Sequence, residues 1–167
     1  MTTSPEPGSP VLRPTIRHLA DPVHFVALGF GSGLAPVAPG TFGSVVGLAI
    51  ALALAPLGFG WNLLACIVAV VAGIWVCGES ARRLGVHDHP AIVWDEVAGM
   101  MITMLAAPRG AWWALLAFGL FRLLDIAKPW PIREIDHGMR GGAGIMLDDV
   151  MAGTLAAAGL LIVRYLS

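Results

Sequence analysis

The chain has 167 residues, of which 57% are hydrophobic and 13% charged, with a net charge of −1 and a mean hydropathy of +0.78. A soluble domain carries about a quarter charged residues, so this balance excludes an ordinary soluble protein and indicates a membrane protein of one domain. It also excludes nucleic acid as a partner, because no basic face exists to neutralise a run of phosphates.

Met1 to Pro14 is rich in Ser and Pro and lacks a charged start followed by an apolar core and cleavage site. It reads as a disordered tail rather than a signal peptide, with the tail counted as 1–20 and the helical membrane domain as 21–167. His18 to Phe30 is mildly amphipathic and preceded by Arg13 and Arg17. That pattern suits either a short helix at a membrane surface or a packed cap on the bundle. A Gly/Pro loop from Gly29 to Ser44 follows and opens into the apolar run Val45 to Leu57. Thr41 or Ser44 would cap that helix, and the free N–H groups at such a start receive anions. The loop is not a P-loop, because no Gly-Lys-Ser/Thr closes it.

Four more apolar segments follow: Trp61 to Val76, Val93 to Ala107, Ala111 to Ile126 and Val150 to Val163. Cys66 and Cys77 stand eleven apart in one of them, roughly 16 Å along a helix, too far to bridge. Several segments fall short of the roughly 20 residues of a perpendicular span. Either their polar ends dip into the interface or some are buried without crossing; five crossings is the preferred count. With a cytoplasmic N-terminus, Arg13, Arg17, Arg82, Arg83, Arg122, Lys128, Arg133 and Arg140 all fall inside, and only Arg109 and Arg164 outside, as the positive-inside bias requires. The expected fold is therefore an all-α polytopic membrane bundle of about five apolar helices with an interfacial polar pocket facing the cytoplasm.

The charge is concentrated. Of eleven acids, nine lie between Glu79 and Asp149. Arg122 and Asp125, three apart near the end of one helix, point to the same side, and Pro129 and Pro131 stop that helix. Gly141, Gly142 and Gly144 would form a turning backbone that delivers Asp148 and Asp149 to the start of the next helix. Asp95 and Glu96 begin another, and Gly99 would let a neighbouring helix approach. These acids read either as helix-end charges or as a site, and acids at the head of a membrane helix are too costly to be casual. His87, Asp88 and His89 resemble a metal triplet by eye, but adjacent residues diverge in direction, and a supporting role in the loop is preferred. A cluster of oxygen ligands favours a hard cation, Mg²⁺ above all, which in turn implies a phosphate substrate.

Four motifs, Gly40-Thr-Phe-Gly-Ser44, Ile92-Val-Trp-Asp-Glu96 with Gly99, Asp125-Ile-Ala-Lys-Pro-Trp-Pro-Ile-Arg133 and Gly144-Ile-Met-Leu-Asp-Asp149, closely resemble in sequence and order the phosphatidylglycerophosphatase A family of bacterial lipid phosphatases. The resemblance runs from about Phe25 to the C-terminus. It implies an inner-membrane enzyme that uses Mg²⁺ to hydrolyse its phospholipid substrate, phosphatidylglycerophosphate, to phosphatidylglycerol and phosphate. On that basis Asp95, Glu96, Asp148 and Asp149 are assigned to metal, with Asp95, Glu96 and Asp149 also counted among the catalytic acids. Asp125 is assigned to orienting water or acting as general base, with an aspartyl-phosphate as the alternative. Lys128, Arg122 and Arg133 would hold phosphate oxygens, helped by Thr41 and Ser44. Two rivals stand beside this reading. A phosphatidyl-group transferase would carry an Asp-Gly…Ala-Arg…Gly…Asp…Asp series, which is absent. An ion-coupled membrane carrier would place its acids near the midplane within a repeated half, whereas these acids lie at segment ends.

Overall fold

Proline or glycine stands at or beside most of the helix ends. In a computed structural model, residues 14–86, 89–128 and 141–166 are described; the assignments made to His87, Asp88, Pro129, Pro131 and Arg133 lie outside them. A 3-10 turn, Ile16–Ala20, precedes α1, Pro22–Ala27. Asp21 caps α1 by accepting the Val23 N–H at 2.8 Å. That N–H, and beyond it the Arg83 guanidinium, hold the Asp21 carboxyl below the usual carboxylate range. Arg83 in turn pairs with Glu79, which also takes a bidentate contact from Arg82. The buried His24 meets Ser80 at 2.9 Å. With Ala27 and Leu28 fully buried, this segment is the packed cap and not a free surface helix.

A second 3-10 turn, Gly29–Leu34, leads to α2, Pro39–Leu54. The expected caps are overturned here: the helix starts at Pro39, whose preset φ suits a first turn, and its N-cap is Ala38 in the left-handed region at φ 49°. α3 spans Phe59–Leu84 and ends on Gly85 at φ 71°, whose N–H returns to the last turn in the manner of a left-handed C-cap. α4 is Trp94–Met104, α5 Ala111–Ala127 and α6 Gly142–Leu166. Among the described residues there is no strand.

The 19-residue stretch Pro39–Leu57 together with α3 and α6 are long and apolar enough to cross a membrane. α4, with 11 residues, rises only about 16 Å, half of a hydrocarbon core. Its position explains its brevity. α4 packs against α2, α3, α5 and α6, none of its residues is exposed, and Val97, Ala98 and Met100 are fully covered. The apolar faces left outside belong to its neighbours: on α3, Leu64, Ile67, Val68, Val71 and Trp75 are exposed, a stripe suited to hydrocarbon rather than water.

The tightest crossing joins α4 to α6. A Cβ on Gly99 would lie 2.7 Å from the Asp149 carbonyl oxygen and the Phe121 ring, and one on Gly153 would fall on the backbone of Gly99. This close approach, expected at Gly99, sets the acids of α4 and α6 side by side one turn away. Gly40 of α2 sits against Glu96 and Arg122, and Gly142 of α6 against Ile74 and Gly78 of α3. The starts of α2, α4 and α6 therefore share one end of the bundle with the ends of α3 and α5.

Candidate active site

At that end the backbone delivers three acids from two helices. Asp95 and Glu96 occupy the first turn of α4, as expected. Asp149 does not begin a helix: α6 starts at Gly142, with no acid in its first turn. Of the glycines expected to form a turn, Gly141 precedes the helix at φ 79°, while Gly142 and Gly144 belong to its first turn, where the absence of a side chain at Gly142 admits the backbone of α3. Asp149 thus reaches the site from the second turn, 3% exposed. Helix-dipole stabilisation, which fades within the first turn, accounts for Asp95 and Glu96 but not for Asp149.

One carboxylate oxygen from each of Asp95, Glu96 and Asp149 lies within 4.8 Å of the other two. Asp95 Oδ1 and Glu96 Oε2 are buried without a hydrogen-bond partner among the described residues. Three desolvated carboxylates so close together repel one another, and two unpartnered oxygens add to the cost. A hard divalent cation answers both, since it accepts oxygen ligands and neutralises the charge. The donor set fits Mg²⁺; no cysteine belongs to the group, and Cys66 and Cys77 are buried and free of disulfide.

The acids open into a cavity of about 280 Å³ whose wall also includes Pro90, Ile92, Asp125, Lys128 and Asp148. Arg122 and Asp125, three apart on α5, form an ion pair at 2.5 Å with both side chains mostly covered. The Arg122 Nε is buried and has no partner among the described residues. Lys128 closes α5 at φ 39° and donates to Asp148 Oδ2 at 2.6 Å. Asp148 is not one of the three acids whose oxygens lie within 4.8 Å of one another. It belongs to a cation–carboxylate pair in the same cavity.

The expected hydroxyl donors are not where the phosphate role placed them. Ser44 is fully buried and donates to Gly40 O at 2.9 Å, while Arg122 Nη1 approaches its Oγ at 3.5 Å; it supports the arginine from behind. Thr41 is half-buried in the first turn of α2 and is not among the lining residues. Pro90 and Ile92, which carry no chemistry of their own, were missed as wall residues, although Ile92 opens one of the four motifs. Trp94 was missed as a brace: its indole N–H donates to Ala69 O at 3.0 Å and ties the start of α4 to the middle of α3.

Comparison with known proteins extends the likeness over most of the chain. The family model for phosphatidylglycerophosphatase A matches residues 25–164. A phosphatidylglycerophosphatase A of Escherichia coli strain K12 is 42% identical over 148 residues, covering 88% of this chain and 86% of its own. That of Haemophilus influenzae is 42% identical over 149 residues, covering 88% and 91%. A Bacteroides thetaiotaomicron protein described provisionally as a phosphatidylinositol-3-phosphatase is 36% identical over 148 residues, covering 84% and 92%. No solved structure matches. The matched region takes in α2 to α5, α6 as far as Arg164, and every acid of the cavity, and on that extent of likeness the chain belongs to the phosphatidylglycerophosphatase A family and is a phosphatase.

Proposed function

We propose that this enzyme is a Mg²⁺-dependent phosphatase that hydrolyses phosphatidylglycerophosphate to phosphatidylglycerol and inorganic phosphate at the cytoplasmic face of the bacterial inner membrane. The observation that carries the reading is the trio Asp95, Glu96 and Asp149, with its unpartnered oxygens, opening into the cavity that Lys128 shares. The names of the two relatives at 42% identity supply the substrate. The metal would be held by Asp95, Glu96 and Asp149, and when bound it would supply the positive charge that offsets the phosphate oxygens and the departing alkoxide.

The chain's own groups then divide the remaining work. Lys128 offers a compact point charge to a phosphate oxygen. Arg122, aligned by Asp125 and backed by Ser44, keeps its guanidinium at the rear of the site, and Arg133 is proposed as a further cation from the following segment. Asp125, which lines the cavity, would orient the attacking water or accept its proton. The ester oxygen leaves with a proton from solvent, and the diacyl portion stays with the bilayer beside the exposed apolar faces of the bundle. We retain five crossings for the fold, with α4 completed at each end by the residues that flank it.

The substrate reading is tested with purified full-length protein and defined lipids. Phosphatidylglycerophosphate should release inorganic phosphate and yield phosphatidylglycerol at least tenfold faster than phosphatidylinositol 3-phosphate yields phosphatidylinositol. The reverse preference would move the enzyme's substrate to the inositol lipid. The orientation has its own check. After replacement of Cys66 and Cys77, a single cysteine at Arg82, whose side chain is 72% exposed, should be labelled only from the cytoplasmic side, and one at Arg109 only from the other. The opposite pattern would invert the topology.

A further inference from the structure

Lys128 and Asp148 enter the cavity as one unit. Lys128 sits at the C-cap of α5 with φ 39° and ψ 59°, a left-handed conformation that favours glycine or asparagine and that a lysine adopts against its preference. Backbone held in this way persists only where its surroundings enforce it, and such positions gather at functional sites. Its ammonium reaches α6, where Lys128 Nζ donates to Asp148 Oδ2 at 2.6 Å. The other oxygen, Asp148 Oδ1, accepts the Asp149 N–H at 3.1 Å. Both oxygens of Asp148 are thus engaged by protein donors. Asp95 and Glu96, by contrast, each keep a buried oxygen without a partner among the described residues, and it is these two with Asp149 that draw within 4.8 Å of one another.

We infer that Asp148 is a positioning residue: its carboxylate holds the Lys128 ammonium at the cavity wall to receive the substrate phosphate, and it does not ligate the metal. A lysine stem has many rotamers, and a charge left to wander among them would spend little time at one phosphate oxygen. A carboxylate from the neighbouring helix confines it. The inference rests on the phosphatase reading above and adds a division of labour among its four acids.

The test uses the full-length protein in detergent micelles. Binding of Mn²⁺ alone, followed by electron paramagnetic resonance without substrate, should be within about twofold of the parent in Asp148→Asn and weakened at least roughly tenfold in Asp149→Asn. In the steady state, Asp148→Asn should raise KM for phosphatidylglycerophosphate about tenfold with a smaller change in kcat. In a Lys128→Met background the same substitution should add less than about twofold, because its effect passes through the lysine. Asp148→Glu, which keeps the charge one methylene away, should show a smaller effect in the same direction, and it replaces the Asn variant in all three measurements if that variant does not fold. Loss of Mn²⁺ binding equal to that of Asp149→Asn would make Asp148 a ligand and overturn the proposal. So would additive effects of the Asp148 and Lys128 substitutions. If the parent itself bound no Mn²⁺, the metal reading would fall, and the Lys128–Asp148 cycle would still decide the positioning role.

Discussion

Asp149→Asn should lower phosphate release by about 10²- to 10³-fold, the range seen when a group that stabilises reacting charge is removed, while the protein still inserts and folds. The two halves of that expectation have one cause. Asp149 is 3% exposed and shares its surroundings with two further carboxylates, so in chelator the neutral amide relieves repulsion and the thermal midpoint should hold or rise. With Mg²⁺ present the order should reverse, because the parent gains stability by binding the ion and the variant loses a ligand. Asp95→Asn should lose turnover equally, but Asp95 stands in the first turn of α4, where a carboxylate also suits the helix dipole. Asp149 lies in a second turn and is free of that ambiguity. Near-normal turnover of Asp149→Asn at saturating Mg²⁺ would remove the acid trio from the mechanism.

Gly153→Ala should damage both fold and activity although it adds a single methyl. Its Cβ would fall on the oxygen, carbonyl carbon and Cα of Gly99, all backbone, so relief requires α4 and α6 to separate rather than a side chain to turn. Overpacking of this kind costs about 1–3 kcal/mol, and in a chain of this size each kcal/mol lowers the midpoint by roughly 2–4 °C. The separation also parts Asp149, one turn before Gly153, from Asp95, one turn before Gly99. Turnover should therefore fall even at temperatures where the variant is folded. Gly119→Ala on α5 is the control, since a Cβ there meets nothing within 4 Å; it should leave activity unchanged and gain up to about 1 kcal/mol from helix propensity. Equal midpoints and equal activities in the two variants would show that the α4–α6 crossing does not set the site.

Much of this arrangement is legible in the residues. A spacing of three on a helix is enough to pair Arg122 with Asp125, and an acid pair ahead of an apolar run marks the start of α4. Gly99, four residues after Asp95, leaves room for a close crossing beside the acids, whereas Gly119 in an equally apolar helix meets nothing. The start of α6 is different. Gly141 to Gly144 reads as a loop by propensity, and only the backbone of α3 pressing against Gly142 explains why a helix begins there. Ala38 gives no signal either, since alanine has no local reason to adopt the left-handed region at φ 49°. The division between Asp148 and Asp149 was half visible. Adjacent helical positions point about 100° apart, so the two acids need not act together, but which of them meets Lys128 depends on where α5 ends against α6. The brevity of α4 has the same origin: composition finds the segment apolar, whereas a helix of 11 residues is explained by the four other helices that pack around it.

The central claim is that the acid trio works with Mg²⁺ beside Lys128 to hydrolyse a lipid phosphomonoester, and release of inorganic phosphate from phosphatidylglycerophosphate under controlled metal tests it most directly. With purified protein in detergent, release should stop on chelation, return in full when excess Mg²⁺ is restored, and stay at least about a hundredfold below the parent in Asp149→Asn at every Mg²⁺ concentration. Phosphate release that continues undiminished in chelator, or that Asp149→Asn matches, would contradict it.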